Sequence, residues 1–305
     1  MINSIIFASV LFITAGSFAV EFNPNHVSSE AEWVTHVNLA RGRETLLGEF
    51  VLSKMNEGHA RLELDKVRKS YNVDLRNDFD SMTVYGTYSD EESMVSIIQG
   101  SFDPQAIVNA MSKVDGYSSK AVGGVTIHSI ESEKEGCGNG AIYTAFTADG
   151  MLVSASSEEL ALEAFSVIDG AKPNIANNAV LNLSSQAADS IVKAAIDVVD
   201  SEGIPAKAAM LRRSQNMVFA MREVGNSMVC ETRLTAVDAE TALNIDAISR
   251  GMLAMIHLKS SEQPELAIIA NSAKIESEGN EVHITITIPI DRLIDLYYES
   301  KINAI

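Results

Sequence analysis

The residues able to do chemistry are scattered along this chain, and their spacing decides which reactions stay open. The six histidines are His26, His36, His59, His128, His257 and His283. No two stand at HxH, HxxH or HxxxH spacing, so none forms the imidazole pair that a zinc site takes from one helix or strand. Asp74, Asp78 and Asp80 cluster within residues 72–80. A calcium loop needs ligands at positions 1, 3, 5 and 12 with Gly at 6, so the cluster reads as a polar loop before a strand. Gly136-Cys137-Gly138-Asn139-Gly140 contains GxG, but a strand pattern follows it, which leaves no helix N-terminus to hold a pyrophosphate. Ser190-Ile191-Val192-Lys193 matches the SxxK of some acyl-transfer enzymes without their SDN and KTG elements. It reads as a solvated pair beside an apolar stripe. The sequence thus assigns no catalytic, cofactor-binding or metal-ligating residue, and no cofactor.

The softer side chains add little chemistry. Cys137 falls at an expected hairpin tip, whereas Cys230 shares a strand face with Met228 and is expected inward. A tip thiol and a core thiol are awkward partners, so a buried free Cys230 is expected, with a Cys137–Cys230 bridge as the alternative. Met210, Met217, Met221 and Met228 surround one expected hairpin, and Met252 and Met255 lie on the helix that should cover it. They read as core filling, with an apolar ligand cavity as the alternative. His128 and His283 alternate with apolar neighbours, which predicts the outer faces of strands.

Composition bounds the class. The chain has 305 residues, 46% hydrophobic and 21% charged, a globular balance. Its 41 acidic and 23 basic residues leave a net charge of −18, which excludes a nucleic-acid backbone as partner. Residues 41–76 run against that balance, with eight basic and six acidic side chains. They could dock an acidic partner or form a solvated helix laced with ion pairs. Met1 to Val20 carries no charged side chain, and Ser17-Phe18-Ala19 follows the apolar stretch Ile5–Ile13. This predicts a signal peptide over residues 1–19 and an extracytoplasmic location, periplasmic or secreted, with an uncleaved anchor as the alternative. No further membrane span is expected after its removal.

These side chains must be positioned by elements readable from pattern. A strand is expected at Trp33–Leu39, a helix from about Arg41 with Leu47, Phe50, Val51 and Met55 on one face, and a charged helix over Ala60–Ser70 with Arg61–Asp65 and Asp65–Lys69 pairs. A hairpin pairs Met82–Tyr88 with Met94–Ser101 around Ser89-Asp90-Glu91-Glu92. Asp103 and Pro104 start the next helix. Strands follow at Val125–Ile130, Ala141–Phe146 and Met151–Ala155, and Ser156-Ser157-Glu158-Glu159 opens a helix as a capping box. In the second half, a strand at Val180–Leu183 precedes an amphipathic helix through Ile191, Ala195 and Val198, then a short helix over Pro205–Arg213. The hairpin Met217–Glu223 and Ser227–Ala236 turns at Gly225-Asn226. Asp238 caps a helix with Ile245, Ile248, Met252 and Met255 inward. A last hairpin, Ala273–Glu276 and Val282–Ile288, leads to a helix carrying Leu293, Leu296 and Tyr297.

The order repeats. Met82 and Met217 stand 135 positions apart, as do Asp103 and Asp238, while Val37–Leu181 and Ser157–Ile290 span 144 and 133. A near-constant offset predicts an internal duplication. The expected class is α+β: two sequence-related modules, each βααββα plus strands and a closing helix, with antiparallel sheets covered by helices. The modules are placed at residues 20–170 and 179–305, after the signal peptide, with a linker at 171–178.

The strand Trp33–Leu39 with Leu47-Gly48 behind it, the run Phe79-Asp80-Ser81-Met82-Thr83-Val84-Tyr85-Gly86, and Gly100-Ser101-Phe102-Asp103 resemble uncharacterised secreted bacterial α+β proteins of similar length. Such proteins often carry Asp where this chain has Asn38. The resemblance implies export and fold, and transfers no activity or site residue. The expected function is a non-catalytic binding or structural component of the cell envelope, with a protein partner or a homo-oligomer. The alternatives are a hydrolase assembled in the fold around His36 or His128, and a carrier with an apolar cavity in the second module.

Overall fold

A computed structural model describes residues 20–88, 93–131, 141–198, 211–260 and 263–302. Residues 1–19, where a signal peptide is expected, the turn expected at 89–92, Cys137, Met210 and most of the helix expected at Pro205–Arg213 lie outside them. The fold is α+β and antiparallel, and the chain divides into two compact units between Asn178 and Ala179.

The first unit runs β1 (Trp33–Asn38), α1 (Leu39–Arg43), α2 (Leu46–Met55), α3 (Gly58–Tyr71), β2 (Phe79–Gly86), β3 (Met94–Gly100), α4 (Pro104–Met111), β4 (Tyr117–Val122), β5 (Val125–Glu131), β6 (Ala141–Phe146), β7 (Leu152–Ala155) and α5 (Glu158–Ile168). Its strands order as β1-β2-β3-β7-β6-β5-β4. Helix α5 covers β3, β6 and β7 by burying Ala161, Ala164, Phe165 and Val167, each large apolar side chain contributing about 1.5–3 kcal/mol.

Side-chain caps set several helix starts. The Asp103 carboxylate accepts from the Gln105 N–H at 2.9 Å. The helix expected from Arg41 is two helices, because the Thr45 hydroxyl accepts from the Gly48 N–H at 3.0 Å and restarts the chain. The capping box at residues 156–159 resolves into a single cap: Ser157 Oγ accepts from Leu160 N–H, and Leu160 has no carboxylate to return the bond. Strand β4 falls outside the sequence expectation. Its residues Ser118 to Ala121 are all exposed, so no apolar alternation marks it. The signal lies instead in Gly123-Gly124, both at positive φ, the two-residue turn that pairs Val122 with Val125.

The segment at 171–178, expected as a linker, is held down. Ile175 is buried and its N–H donates to the Val27 carbonyl, and Ser28 bridges Asn174. The Ser28 hydroxyl also donates to Glu163 at 2.8 Å. Burial alone would raise the Glu163 carboxyl, but Ser28 and Lys172 outweigh it and hold it below the usual carboxylate range.

The second unit runs β8 (Val192–Asp197), β9 (Ser214–Val224), β10 (Ser227–Ala236), α6 (Ala239–Lys259), α7 (Pro264–Ser272), β11 (Ala273–Glu278), β12 (Glu281–Pro289) and α8 (Ile290–Ile302). Its strands order as β8-β9-β10-β12-β11. Leu234, Ala236, Ile275 and Val282 on the sheet meet Ala242 and Ile245 of α6, with Met217, Leu253 and Ile284 at the margin.

Two expectations fail here. Residues 180–183 form turns rather than a strand, with Leu181 and Leu183 buried and Leu183 at φ 56°. The helix expected through Ile191 and Ala195 is the strand β8, laddered to β9 with Ala195 opposite Val218. An apolar run this short satisfies either period, and the free edge of β9 decides it.

Candidate functional site

In the first unit the acidic loop is organised by arginines. Arg76 donates to Asp74 at 2.8 Å, to Asp65 at 3.0 Å and to the Asn56 side-chain carbonyl at 2.9 Å. Asp65 thus pairs with Arg76, and the expected Arg61–Asp65 and Asp65–Lys69 pairs are not formed among the described residues. The lysine pairs near it, Lys54–Glu57 and Lys66–Glu63, lie at the surface, as expected for a solvated helix. Burial works against the Asp74 carboxylate, but the hydrogen bonds and charge of Arg76, aided by Arg68, hold it below the usual aspartate range. The Asp74 N–H donates to Asp78 at 2.6 Å, and Arg43 pairs with Asp80 at 3.0 Å. An open cavity of about 360 Å³ lies above, lined by Arg68, Asn72, Asp74, Asn77, Asp78, Ser101 and Asp103. Asp74 and Asp78 already serve the loop and Asp103 caps α4, and no group of metal-ligating side chains assembles among the described residues.

The histidines proposed for a hydrolase are built into strands. His36 of β1 is buried, with Nδ1 3.0 Å from Thr83 Oγ1 and its ring tilted against Phe22. His128 is buried too, although on β5 it keeps to the face opposite Ile127. Its Nδ1 lies 2.8 Å from the Tyr117 hydroxyl, the two rings stack, and burial lowers its pKa. The SxxK pair is likewise not solvated. Ser190 and Lys193 are both buried, in a turn and on β8 rather than along one helix turn. Cys230 is free, and partial burial raises its thiol pKa.

The largest departure is on α6. Ile245 is buried as expected, but Ile248, Met252 and Met255 are 45%, 50% and 57% exposed, and Leu258 is 76% exposed. The face that packs on the sheet is instead Ala242, Ile245 and Ser249. Turned by about 90° from this contact, the i, i+4, i+7 stripe of Ile248, Met252 and Met255 looks outward. From Gly251 to Leu258 no Asp, Glu, Lys or Arg interrupts it. Met217 and Met228 do fill core, so the methionines divide between two roles.

A second cleft, of about 160 Å³, lies on the face of β9, β10 and β12 away from α6. Of its lining, His283 was singled out in the sequence only as an outer-face histidine, and Gln186, Glu231 and Arg233 carried no motif. The only available signal was the alternation of Arg233 and His283 with the core positions Leu234 and Val282.

No protein-family profile matches the chain, and no curated protein matches it. Among solved structures, the chain is similar to TP0453 in its crystal form III, at 14% identity and a TM-score of 0.51 over 90% of this chain and 96% of that one. Crystal form I of TP0453 gives 15% identity and a TM-score of 0.48 over 91% and 97%. At this identity the likeness concerns the fold.

Proposed function

We propose that this protein is an exported, non-catalytic component of the cell envelope that acts by association, with the outward side of α6 as its contact for another protein chain. The exposed stripe Ile248, Met252, Met255 and Leu258 carries this reading. Spacing of i, i+4 and i+7 is what a helix offers to an apolar groove, and covering each side chain is worth about 1.5–3 kcal/mol. The net charge of −18 disfavours an anionic surface as the occupant. Light scattering of the mature chain, alone and with candidate partners, tests it. Met252→Glu with Met255→Glu should weaken association by about tenfold or more without lowering the melting temperature. Vesicle binding abolished by the same pair would give the face to lipid and overturn the protein-partner reading.

Export rests on the uncharged segment Met1–Val20. Secreted or periplasmic material should begin at or near Val20, and an intact Met1 in the membrane fraction would refute this.

We also infer that the two units arose by duplication. The orders β1-β2-β3-β7-β6 and β8-β9-β10-β12-β11 support it, as do the equivalent caps Asp103 and Asp238 after equivalent hairpins. Val192, rather than Leu181, is then the start of the counterpart of β1. An experimental structure in which fewer than half of the paired elements superpose in order and direction would remove the inference.

A further inference from the structure

The cleft in the second unit holds polar groups that the fold leaves unanswered. Along β10, Leu234 and Ala236 point into the core under α6, so Glu231 and Arg233 point to the opposite face. His283 and Thr285 of β12 stand directly across from Arg233 and Glu231 in the register. On the other side Val218 and Ala220 of β9 occupy the same two levels. The turn Ser185-Gln186-Ala187 closes the cleft.

The charges here are unevenly paired. Arg222 lies 3.5 Å from Glu231 and 3.8 Å from Asp189, and His283 pairs with Glu281 at 3.0 Å. Arg233 forms no ion pair among the described residues. Its Nε is buried without a hydrogen-bond partner, and so is Gln186 Oε1. The Gln186 amide cannot simply turn over, because its nitrogen donates to the Ala194 carbonyl at 2.9 Å. Both atoms belong to residues that line the cleft, Arg233 bringing a guanidinium and Gln186 a carbonyl acceptor to the same lining as the Glu231 carboxylate. Leaving such groups unpaired is costly, and the cavity of about 160 Å³ has room for more than one water.

We propose that this cleft binds a small aliphatic α-amino acid as its zwitterion. The guanidinium of Arg233 matches a carboxylate. Gln186 Oε1 and Glu231 accept from the ammonium group. The apolar floor of Val218 and Ala220 takes a short aliphatic side chain. A simple anion would leave the acceptors unanswered, and a simple amine would leave Arg233 unanswered.

Calorimetric titration of the full mature chain, unfolded and refolded to strip bound molecules, tests this with L-alanine, L-valine, acetate, propylamine and inorganic phosphate. Saturable binding of L-alanine or L-valine is expected, with acetate and propylamine each weaker by about tenfold or more. Arg233→Gln should weaken amino-acid binding by about tenfold or more, and Gln186→Leu should do so independently should the first variant fold poorly. Glu231→Gln should weaken the amino acids while leaving acetate unchanged. Phosphate or acetate binding as tightly as the amino acids would reduce the cleft to an anion site and overturn the proposal. Amino-acid binding unchanged in folded Arg233→Gln and Gln186→Leu would place the site elsewhere and overturn it as well. Absence of binding by every probe at about 10 mM would leave the cleft to water and end it.

Discussion

Removing the Asp80 carboxylate should destabilise the first unit more than most single changes. Arg43 is 3% exposed in its side chain and Asp80 13%, at 3.0 Å. Arg43 also donates to the Asn77 carbonyl at 2.9 Å and to the Phe79 carbonyl, which clamps α1 to the start of β2. Asp80→Ala keeps those two acceptors but strands a guanidinium charge away from water, a change that costs about 3–5 kcal/mol. At about 2–4 °C per kcal/mol for a unit of this size, the melting temperature should fall by roughly 6–20 °C. Asp80→Asn keeps an acceptor and loses only the charge, so about 1–2 kcal/mol is expected. Replacing both residues, Arg43→Met with Asp80→Ala, removes the buried charge altogether and should recover much of the loss. Urea unfolding followed by circular dichroism measures all three, and the double-mutant cycle isolates the pair. A loss below about 1 kcal/mol for Asp80→Ala, or a double variant less stable than the single one, would refute the reasoning.

Because Arg76 depresses Asp74, its stabilisation should be fully present above the ordinary aspartate value of 3.8 and be lost as pH falls through the lower folded-state value. Asp74→Asn should flatten that part of the stability profile. Burial lowers the His128 pKa, so its contribution is present above 6.5 and lost as pH falls from there toward its lowered folded-state value. His128→Gln should remove that slope, and an unchanged slope would show the imidazole to be solvated. Ser157→Ala deletes the cap on the Leu160 N–H and should cost about 1 kcal/mol in thermal or urea unfolding. In Cys137→Ser protein, the raised and half-buried Cys230 thiol should react with a disulfide reagent at least about tenfold more slowly than in the unfolded chain.

Much of the local order is a property of the sequence alone. The caps at Asp103 and Asp238, the turn at Gly225-Asn226 and the hairpins around them depend on residues within a few positions of one another. Short-range hydrogen bonds and backbone preferences decide such features before any distant partner arrives. The α+β class follows from the same local periods. Tertiary structure decided the rest. Val192–Asp197 became a strand because β9 supplied a ladder, and the exposed β4 exists only by pairing with β5. Ile248, Met252 and Met255 share a helical period with Ile245, yet the angle at which α6 meets the sheet buries Ile245 and leaves the other three outside. The burial of Arg43, the Arg76 network and the unanswered pair of Gln186 and Arg233 depend on side chains converging from separated segments. Such convergence leaves no period in the sequence, because the contact distance is set by the sheet and not by the spacing along the chain.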